Sequence, residues 1–456
     1  MRLSAATLDR LPGGIARFAY DRAAQAVGIV HFGIGAFHRA HQAWYTDRAM
    51  DAGDRDWGIA GVSLRSPDVA EQLNPQDGLY SVVERSADEE HLRVIGAVRS
   101  VIVANTASER VVAAFAAPAT RIASLTVTEK GYCRAADGSL DAQLAGRGTI
   151  YPLIAEGLRR RRDAGLPGVT LLCCDNLSGN GRQLDRLLRD YLDRHDPALV
   201  SWFAAECACP STMVDRIAPA VDDADRAAVA ARLGMEDRGA VVTEPFSQWV
   251  IEDRFAGPRP RWEAVGATLV DSVEPYETAK LRMLNGAHSA LAYIGLGRGH
   301  AFVHQAVADP AIRPIIERLM RAEAAPTIAA APGQDLDRYA DDLLARFANP
   351  SLNHRLAQIA MDGSQKIPPR WLETLAWHQA RGAYCPAILN GLAAWIRHIG
   401  GDAGEVSDPW AARLAEVATR CDRHSVLNAL FGPAGLLASR WRPDPVDSAL
   451  VAEKLG

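Results

Sequence analysis

The stretch Gly28-Ile-Val-His-Phe-Gly-Ile-Gly-Ala-Phe-His-Arg-Ala-His41 decides the fold. A short β-branched and aromatic run, 29–32, stops at Gly33-Ile-Gly35, and a helical apolar pattern then continues through Trp44, Tyr45 and Met50. A strand that gives way to a helix across two glycines is one form that the opening of a dinucleotide-binding βα unit takes. Gly33 allows the tight turn, and Gly35 lets a pyrophosphate approach the backbone at the helix N-terminus. His38 stands where the third glycine of the fingerprint belongs, so the match is partial. Two readings stand: a cofactor site at Gly33, Gly35, Phe37 and His38, or a strand-to-helix turn with structural glycines. The acid that holds the adenosine ribose is expected after the second strand, and Asp68 is the first one there. Arg65 beside it would instead suit a 2′-phosphate; NAD is the expected cofactor.

Working outward, short apolar runs recur at 57–62, 122–127 and 169–173, separated by amphipathic segments. That alternation predicts a parallel sheet covered by helices. Beyond about Ala267 the chain becomes Ala/Leu/Arg-rich with helical periodicity and few strand-like runs. The expected class is therefore α/β, a parallel-sheet N-terminal domain over 1–267 with a mainly α-helical C-terminal domain over 268–456. The segment Pro258-Arg-Pro-Arg-Trp262 reads as a hinge, because proline forbids regular structure there. Arg159 to Arg162 close an apolar-periodic segment and read as a solvated helix C-terminus.

Bulk properties exclude several functions. The 456 residues are 48% hydrophobic and 23% charged, enough to bury two sizeable cores. A formal charge of −5, with no long Lys/Arg run, provides no field for nucleic acid. Seven cysteines is an odd number, and Cys173–Cys174 and Cys207/Cys209 are too close together for a secreted disulfide framework, so a reduced cytoplasm is expected. No CxxC pair exists and no histidine stands at zinc-ligand spacing from a cysteine, so no metal is expected. The polar start of the chain and the lack of about 18 uncharged apolar residues in a row predict neither export nor a membrane span. A monomer or small homo-oligomer acting on a small molecule is the expected state.

The segment most informative for chemistry is Pro275-Tyr-Glu277-Thr-Ala-Lys280-Leu-Arg-Met-Leu-Asn285-Gly-Ala-His288-Ser-Ala-Leu. At about 100° per residue, Glu277, Lys280, Asn285 and His288 share an arc of roughly 140°, leaving Leu281, Leu284 and Leu291 for a core. Such a polar face is equally what a solvated surface presents. Its Lys-x4-Asn-x2-His spacing resembles the long-chain mannitol dehydrogenase family. Other motifs resemble that family in the same order: Gly33-x-Gly35-x-Phe-His-Arg-Ala-His41, Gln76-Asp-Gly-Leu-Tyr80, Thr126-Val-Thr-Glu-Lys-Gly-Tyr132, Cys174-Asp-Asn176, Met213-Val-Asp-Arg-Ile217, Glu244-Pro-Phe-x-Gln-Trp-Val250 and Asp362-Gly-Ser-x-Lys366. The resemblance covers roughly 28–400. It implies a Rossmann domain, a helical domain, a cleft between them, and metal-free oxidation of a secondary alcohol by NAD.

That chemistry needs a base whose pKa lies near neutrality, and burial with nearby cations lowers a lysine toward it; Lys280 is the candidate. The resemblance makes Asn285 and Asn176 an oxyanion hole, which suits neutral amide donors. It also gives His288 and Lys366 to substrate hydroxyls, Asp215 to the same neighbourhood and Glu277 to proton exit. For Asp215, a helix N-cap or an ion pair with Arg216 is the structural alternative. The sequence departs from mannitol-oxidising members at Gln358, where they carry arginine, and at Lys130, where they tend to have glycine. The run 354–370 is closer to the fructuronate reductase branch, with mannitol 2-dehydrogenase second and other polyols third. A uronate carboxylate needs cations, and Lys130, Arg355 and Arg370 are the candidates, each also readable as a surface cation. A zinc-dependent dehydrogenase is set aside for want of ligands, and a nucleotide-sensing protein because a sensor needs no base.

Overall fold

Continuous apolar runs form the central sheet of the first half of the chain because a strand covered on both faces must be apolar on both. In the computed structural model, which describes residues 1–402 and 404–456, five such runs make one sheet: β1 (Val27–Phe32), β2 (Gly58–Ser63), β3 (Val98–Val103), β4 (Ile122–Leu125) and β5 (Thr170–Cys173). The order across the sheet is β3-β2-β1-β4-β5 and every neighbouring pair is parallel. The chain winds outward from β1 to β3 and returns to add β4 on the other side. That reversal between β1 and β4 is the switch point of a Rossmann-type sheet, outside whose carboxyl ends ligands bind. Strand β3, Val-Arg-Ser-Val-Ile-Val, has two polar residues interrupting its apolar pattern and did not stand out in the sequence.

The chain divides into two compact units, Met1–Val273 and Glu274–Gly456. The first also holds a four-stranded sheet, in the order Ala16–Arg17, Glu90–Ile95, Tyr80–Arg85 and Val241–Thr243. A three-stranded sheet orders Thr268–Val270, Gln248–Glu252 and Thr212–Asp215. The parallel pairing of Thr268–Val270 with Gln248–Glu252 carries the first unit six residues beyond the 267/268 boundary expected from composition. The expected hinge at 258–262 instead lies within this unit and is pinned by Trp262. Trp262 is 1% exposed, its ring lies 4.5 Å from that of Trp249, and its Nε1 donates to Thr46 Oγ1 at 3.1 Å. The arginine run ends helix Ile150–Asp163 as expected, but Arg161 is not solvated. It is buried and donates to the carbonyls of Pro167, Phe115 and Ala117.

The second unit is helical, with no strand among its described residues. Its axis is helix Gly286–Gly297, buried from Gly286 to Gly295 and packed against Pro386–Ile399. Three of its segments are π-helical: Lys280–Asn285, Leu319–Ala324 and Pro368–Leu372, the first packing on both others. No helix among the described residues is long and apolar enough to cross a membrane, and all seven cysteines are free thiols.

Candidate functional site

The turn after β1 is built by two glycines with different duties. Gly33 has φ +94°, and a Cβ on it would lie 2.0 Å from the Thr126 carbonyl oxygen, so only glycine fits. Gly35 is the exposed N-cap of helix Ala36–Ala40, and a Cβ on it would meet nothing nearer than the Gly33 oxygen at 3.9 Å. The backbone is therefore open above Gly35, the cradle a dinucleotide diphosphate requires, and the turn fits NAD. Phe37 is half-buried and stacks on His41 with centroids 5.1 Å apart.

His38, expected as a cofactor contact, has no exposed surface. It lies flat on His31 of β1, ring centroids 3.3 Å apart and planes 13° apart. Glycine in this position lets the helix sit directly on the strand. Here a stacked ring pair fills that space, and the helix breaks at His41 (φ −121°, ψ −90°) before restarting as Gln42–Asp51. His31 Nδ1 lies 2.8 Å from Ser124 Oγ and its Nε2 2.8 Å from Thr126 Oγ1. The Thr126 hydroxyl donates to the Gly33 carbonyl at 2.7 Å, so Nε2 is the donor and Nδ1 accepts from Ser124. Burial pushes His31 down to about 3 and His38 well below its ordinary value, so both rings are neutral. Asp68 sits in the first turn of helix Asp68–Leu73, past the end of β2, exposed, with its N–H on Ser66 Oγ.

The helix read from the sequence as regular is not. Glu277 lies on Glu274–Ala279, Lys280 and Asn285 begin and end a π-helical segment, and His288 lies on the α-helix that follows. Gly286 N–H donates to the Leu281 carbonyl, five residues back. With that spacing Lys280 and Asn285 lie one turn apart, whereas an α-helix would separate them by about 140°. Glu277, Lys280, Asn285 and Leu281 are half-buried, while Leu284 and Leu291 reach the core. His288 is buried, its ring 4.8 Å from Phe347 and 5.2 Å from His354, and its Nε2 has no hydrogen-bond partner among the described residues. Burial, with His354, Arg346 and Arg370 adding positive field, holds His288 well below its usual range, and burial lowers His354 too.

Segment Pro368–Leu372 fastens this helix from the side. Its two prolines lack the N–H groups that a regular helix needs. Arg370 donates to Ser289 Oγ at 2.7 Å and to the Asn285 carbonyl at 3.2 Å, and Trp371 Nε1 donates to the Gly286 carbonyl. Burial lowers Arg370 to about 10. Lys366 stands on Gly363–Ile367, donates to the Ile359 carbonyl at 3.2 Å, and is lowered by burial and then by Arg370. Gly363 is required, since a Cβ there would lie 2.5 Å from Trp395 Nε1. The structure thus brings together Lys280, Asn285, His288, Arg370 and Lys366, adding Ser289, His354 and Arg346, which the sequence did not single out.

Arg355 stands apart, exposed, with its guanidinium 5.8 Å from the Phe302 ring centre. In the first unit, Asn176 is exposed just past β5, and Lys130 is exposed on the short helix Glu129–Tyr132. Asp215 is buried as the last residue of its strand, not at a helix N-cap. Arg216 turns to Glu84 and to the carbonyls of Ala40 and Glu244. Asp175, unassigned in the sequence reading, ties the Lys130 loop to the Asn176 turn. Among the described residues no three His, Cys, Asp or Glu side chains gather as a metal site.

A 3-2-1-4-5 parallel sheet with a glycine turn at its switch point marks a dinucleotide-binding protein, here with a second, helical unit. The chain belongs to the mannitol dehydrogenase family: residues 27–264 match the mannitol dehydrogenase Rossmann domain and 272–431 the mannitol dehydrogenase C-terminal domain. The chain is thus an oxidoreductase of the NAD-dependent polyol dehydrogenase family, acting on CH–OH. It is 40% identical over 445 residues to D-mannonate oxidoreductase of Escherichia coli, covering 93% of this chain and 91% of that one. Mannitol 2-dehydrogenase of Pseudomonas fluorescens, solved in ternary complex with NAD and D-mannitol, is 34% identical with a TM-score of 0.81, covering 100% and 96% of the two chains. A substrate-free D-sorbitol dehydrogenase is 31% identical with a TM-score of 0.91 and the same coverage.

Proposed function

We propose that this enzyme interconverts D-fructuronate and D-mannonate with NADH and NAD. The observation that carries the substrate is the pair Lys366 and Arg370. Both are cations depressed by burial, and both rest on neutral oxygens, with Asp362 and Asp408 acting on Lys366 only as longer-range charges. Half-buried cations without a close acid favour an anionic ligand, and a carboxylate at the far end of a keto acid supplies one. The 40% identity to D-mannonate oxidoreductase supports the same reading.

When bound at the Gly33–Gly35 turn, NAD supplies the hydride acceptor, with Asp68 as candidate partner of the ribose hydroxyls. Lys280 takes the proton of the reacting hydroxyl, and Glu277 passes it to water. Asn285 and Asn176 donate side-chain N–H groups to the alkoxide oxygen as its charge develops. His288, neutral because buried, holds a neighbouring hydroxyl without adding a charge, and Asp215 is kept as a further hydroxyl partner.

Mannitol 2-dehydrogenase is the second reading, favoured by the full-length likeness to the Pseudomonas enzyme solved with D-mannitol. Initial rates with NADH and with NADPH, on D-fructuronate and D-fructose, separate the two. The expected result is a kcat/KM for fructuronate at least about tenfold above that for fructose. A preference for fructose would make the enzyme a mannitol dehydrogenase.

A further inference from the structure

The loop after β4 runs beside the glycine turn. Thr126 N–H donates to the Phe32 carbonyl at 2.8 Å and its hydroxyl to Gly33. Two residues on, Thr128 has φ 65° and ψ 164°. That region belongs almost entirely to glycine, and a β-branched side chain makes it more costly still, so surrounding structure must hold it there.

The holder is the Asp175 carboxylate. Oδ1 accepts from Thr128 N–H at 3.0 Å, and Oδ2 accepts from Val127 N–H at 2.8 Å and from the Tyr132 hydroxyl at 2.7 Å. The Asp175 backbone is fixed as well. Its carbonyl accepts from Leu177 N–H at 2.9 Å and from Asn180 Nδ2 at 3.0 Å. Asn180 is locked to Thr212 through two further bonds, Nδ2 to the Thr212 carbonyl and Thr212 N–H to Oδ1, each 2.9 Å. Burial raises the carboxylate pKa, and the three donors act against that rise. One acidic side chain thus joins the loop carrying Lys130 to the turn carrying Asn176, its immediate neighbour.

We propose that Asp175 is a positioning residue for the reaction: it sets the backbone from which Asn176 reaches the reacting oxygen and locks the strained loop against that backbone. The inference rests on the reading of Asn176 as a donor to that oxygen. Thr126 is anchored to β1 and to the glycine turn by bonds that do not involve Asp175.

A double-mutant cycle tests it, run on the full chain with NADH and D-fructuronate, or with D-fructose if the wild type prefers fructose. A fructose preference removes the uronate reading and leaves the cycle intact. Asp175→Asn keeps the size but turns one acceptor into a donor facing N–H groups. We expect kcat to fall about 10- to 100-fold, with the Kd for NADH, followed by protein-to-NADH fluorescence transfer, within about threefold of wild type. In an Asn176→Ala background the same change is expected to cost less than about threefold, since the group it positions is gone. Losses that multiply in the two backgrounds, or a kcat within about threefold of wild type for Asp175→Asn, overturn the proposal. Should Asp175→Asn fail to fold by circular dichroism, Tyr132→Phe replaces it, removing one of the three donors. It is then expected to cost about three- to tenfold with Asn176 present and under about twofold without it. Equal factors in the two backgrounds overturn the proposal.

Discussion

The imidazoles of His31 and His38 lie face to face beneath the glycine turn, 3.3 Å between centroids. His31 is hydrogen bonded through both nitrogens, whereas among the described residues neither nitrogen of His38 finds a hydrogen-bond partner. Both rings have depressed pKa values in the fold, so the unfolded chain takes up more protons as pH falls. Stability is then full above about pH 6.5 and is lost below it, by about 1.4 kcal/mol per pH unit for each histidine, down toward the folded pKa. His38→Phe keeps a ring on His31 and removes one titrating group with two unpaired nitrogens. In urea unfolding from about pH 7.5 to 4.5, the acid loss for His38→Phe is expected to be shallower by about one proton. Parallel curves would show that His38 does not stay neutral in the fold.

Gly33 and Gly35 are expected to respond oppositely to substitution. Gly33→Ala puts a Cβ on a left-handed backbone against the Thr126 carbonyl and should destabilise the fold by about 2–4 kcal/mol. A Cβ at Gly35 meets nothing nearer than 3.9 Å in the protein and a valine there fills the cradle, so Gly35→Val should fold with a Tm within a few degrees of wild type, the cost of a poorer N-cap, while the Kd for NADH rises about tenfold or more. Calorimetry and NADH titration on the same samples decide it. Unchanged NADH affinity in Gly35→Val would move the diphosphate elsewhere.

Lys280 begins the π-helical segment one turn before Asn285. If it is the base, Lys280→Ala should lower kcat by about 10²–10⁴-fold and leave the Kd for NADH nearly unchanged. Activity within about threefold of wild type would return the role of base to another group.

The cations proposed for a carboxylate differ in burial, and burial sets their worth. Lys130 is exposed, where an ion pair contributes about 0–1 kcal/mol, so Lys130→Met should cost fructuronate reduction less than about fivefold. Arg370 is largely withdrawn from water, where a charge-assisted hydrogen bond contributes about 1.5–3 kcal/mol. Arg370→Met should therefore lower kcat/KM for fructuronate about 10- to 100-fold, and much less for fructose. Equal losses on both sugars would show that Arg370 only braces Asn285 and Ser289.

Features that depend on neighbours along the chain were legible from residue order. Apolar runs and the two glycines foretold β1, β2, β4, β5 and the turn, because strand burial and a left-handed φ are local demands. The polar residues of the helix at 277–288 were legible as a set, since spacing alone puts them on one element. The tertiary structure decided what depends on contacts between distant residues. The π spacing at Lys280 falls in the segment on which Pro368–Leu372 and Leu319–Ala324 pack, a contact between residues far apart in the chain. His38 became a packing residue because His31, seven positions earlier on β1, lies beneath it. Trp262 fixed a proline-rich segment by finding Trp249, and Arg161 left solvent because three carbonyls from elsewhere in the chain converge on it. Asp175 was visible only as one letter in Cys-Asp-Asn. Its bond partners are 43 to 48 residues away, and only the closing of β4 against β5 brings their N–H and O–H groups to one carboxylate.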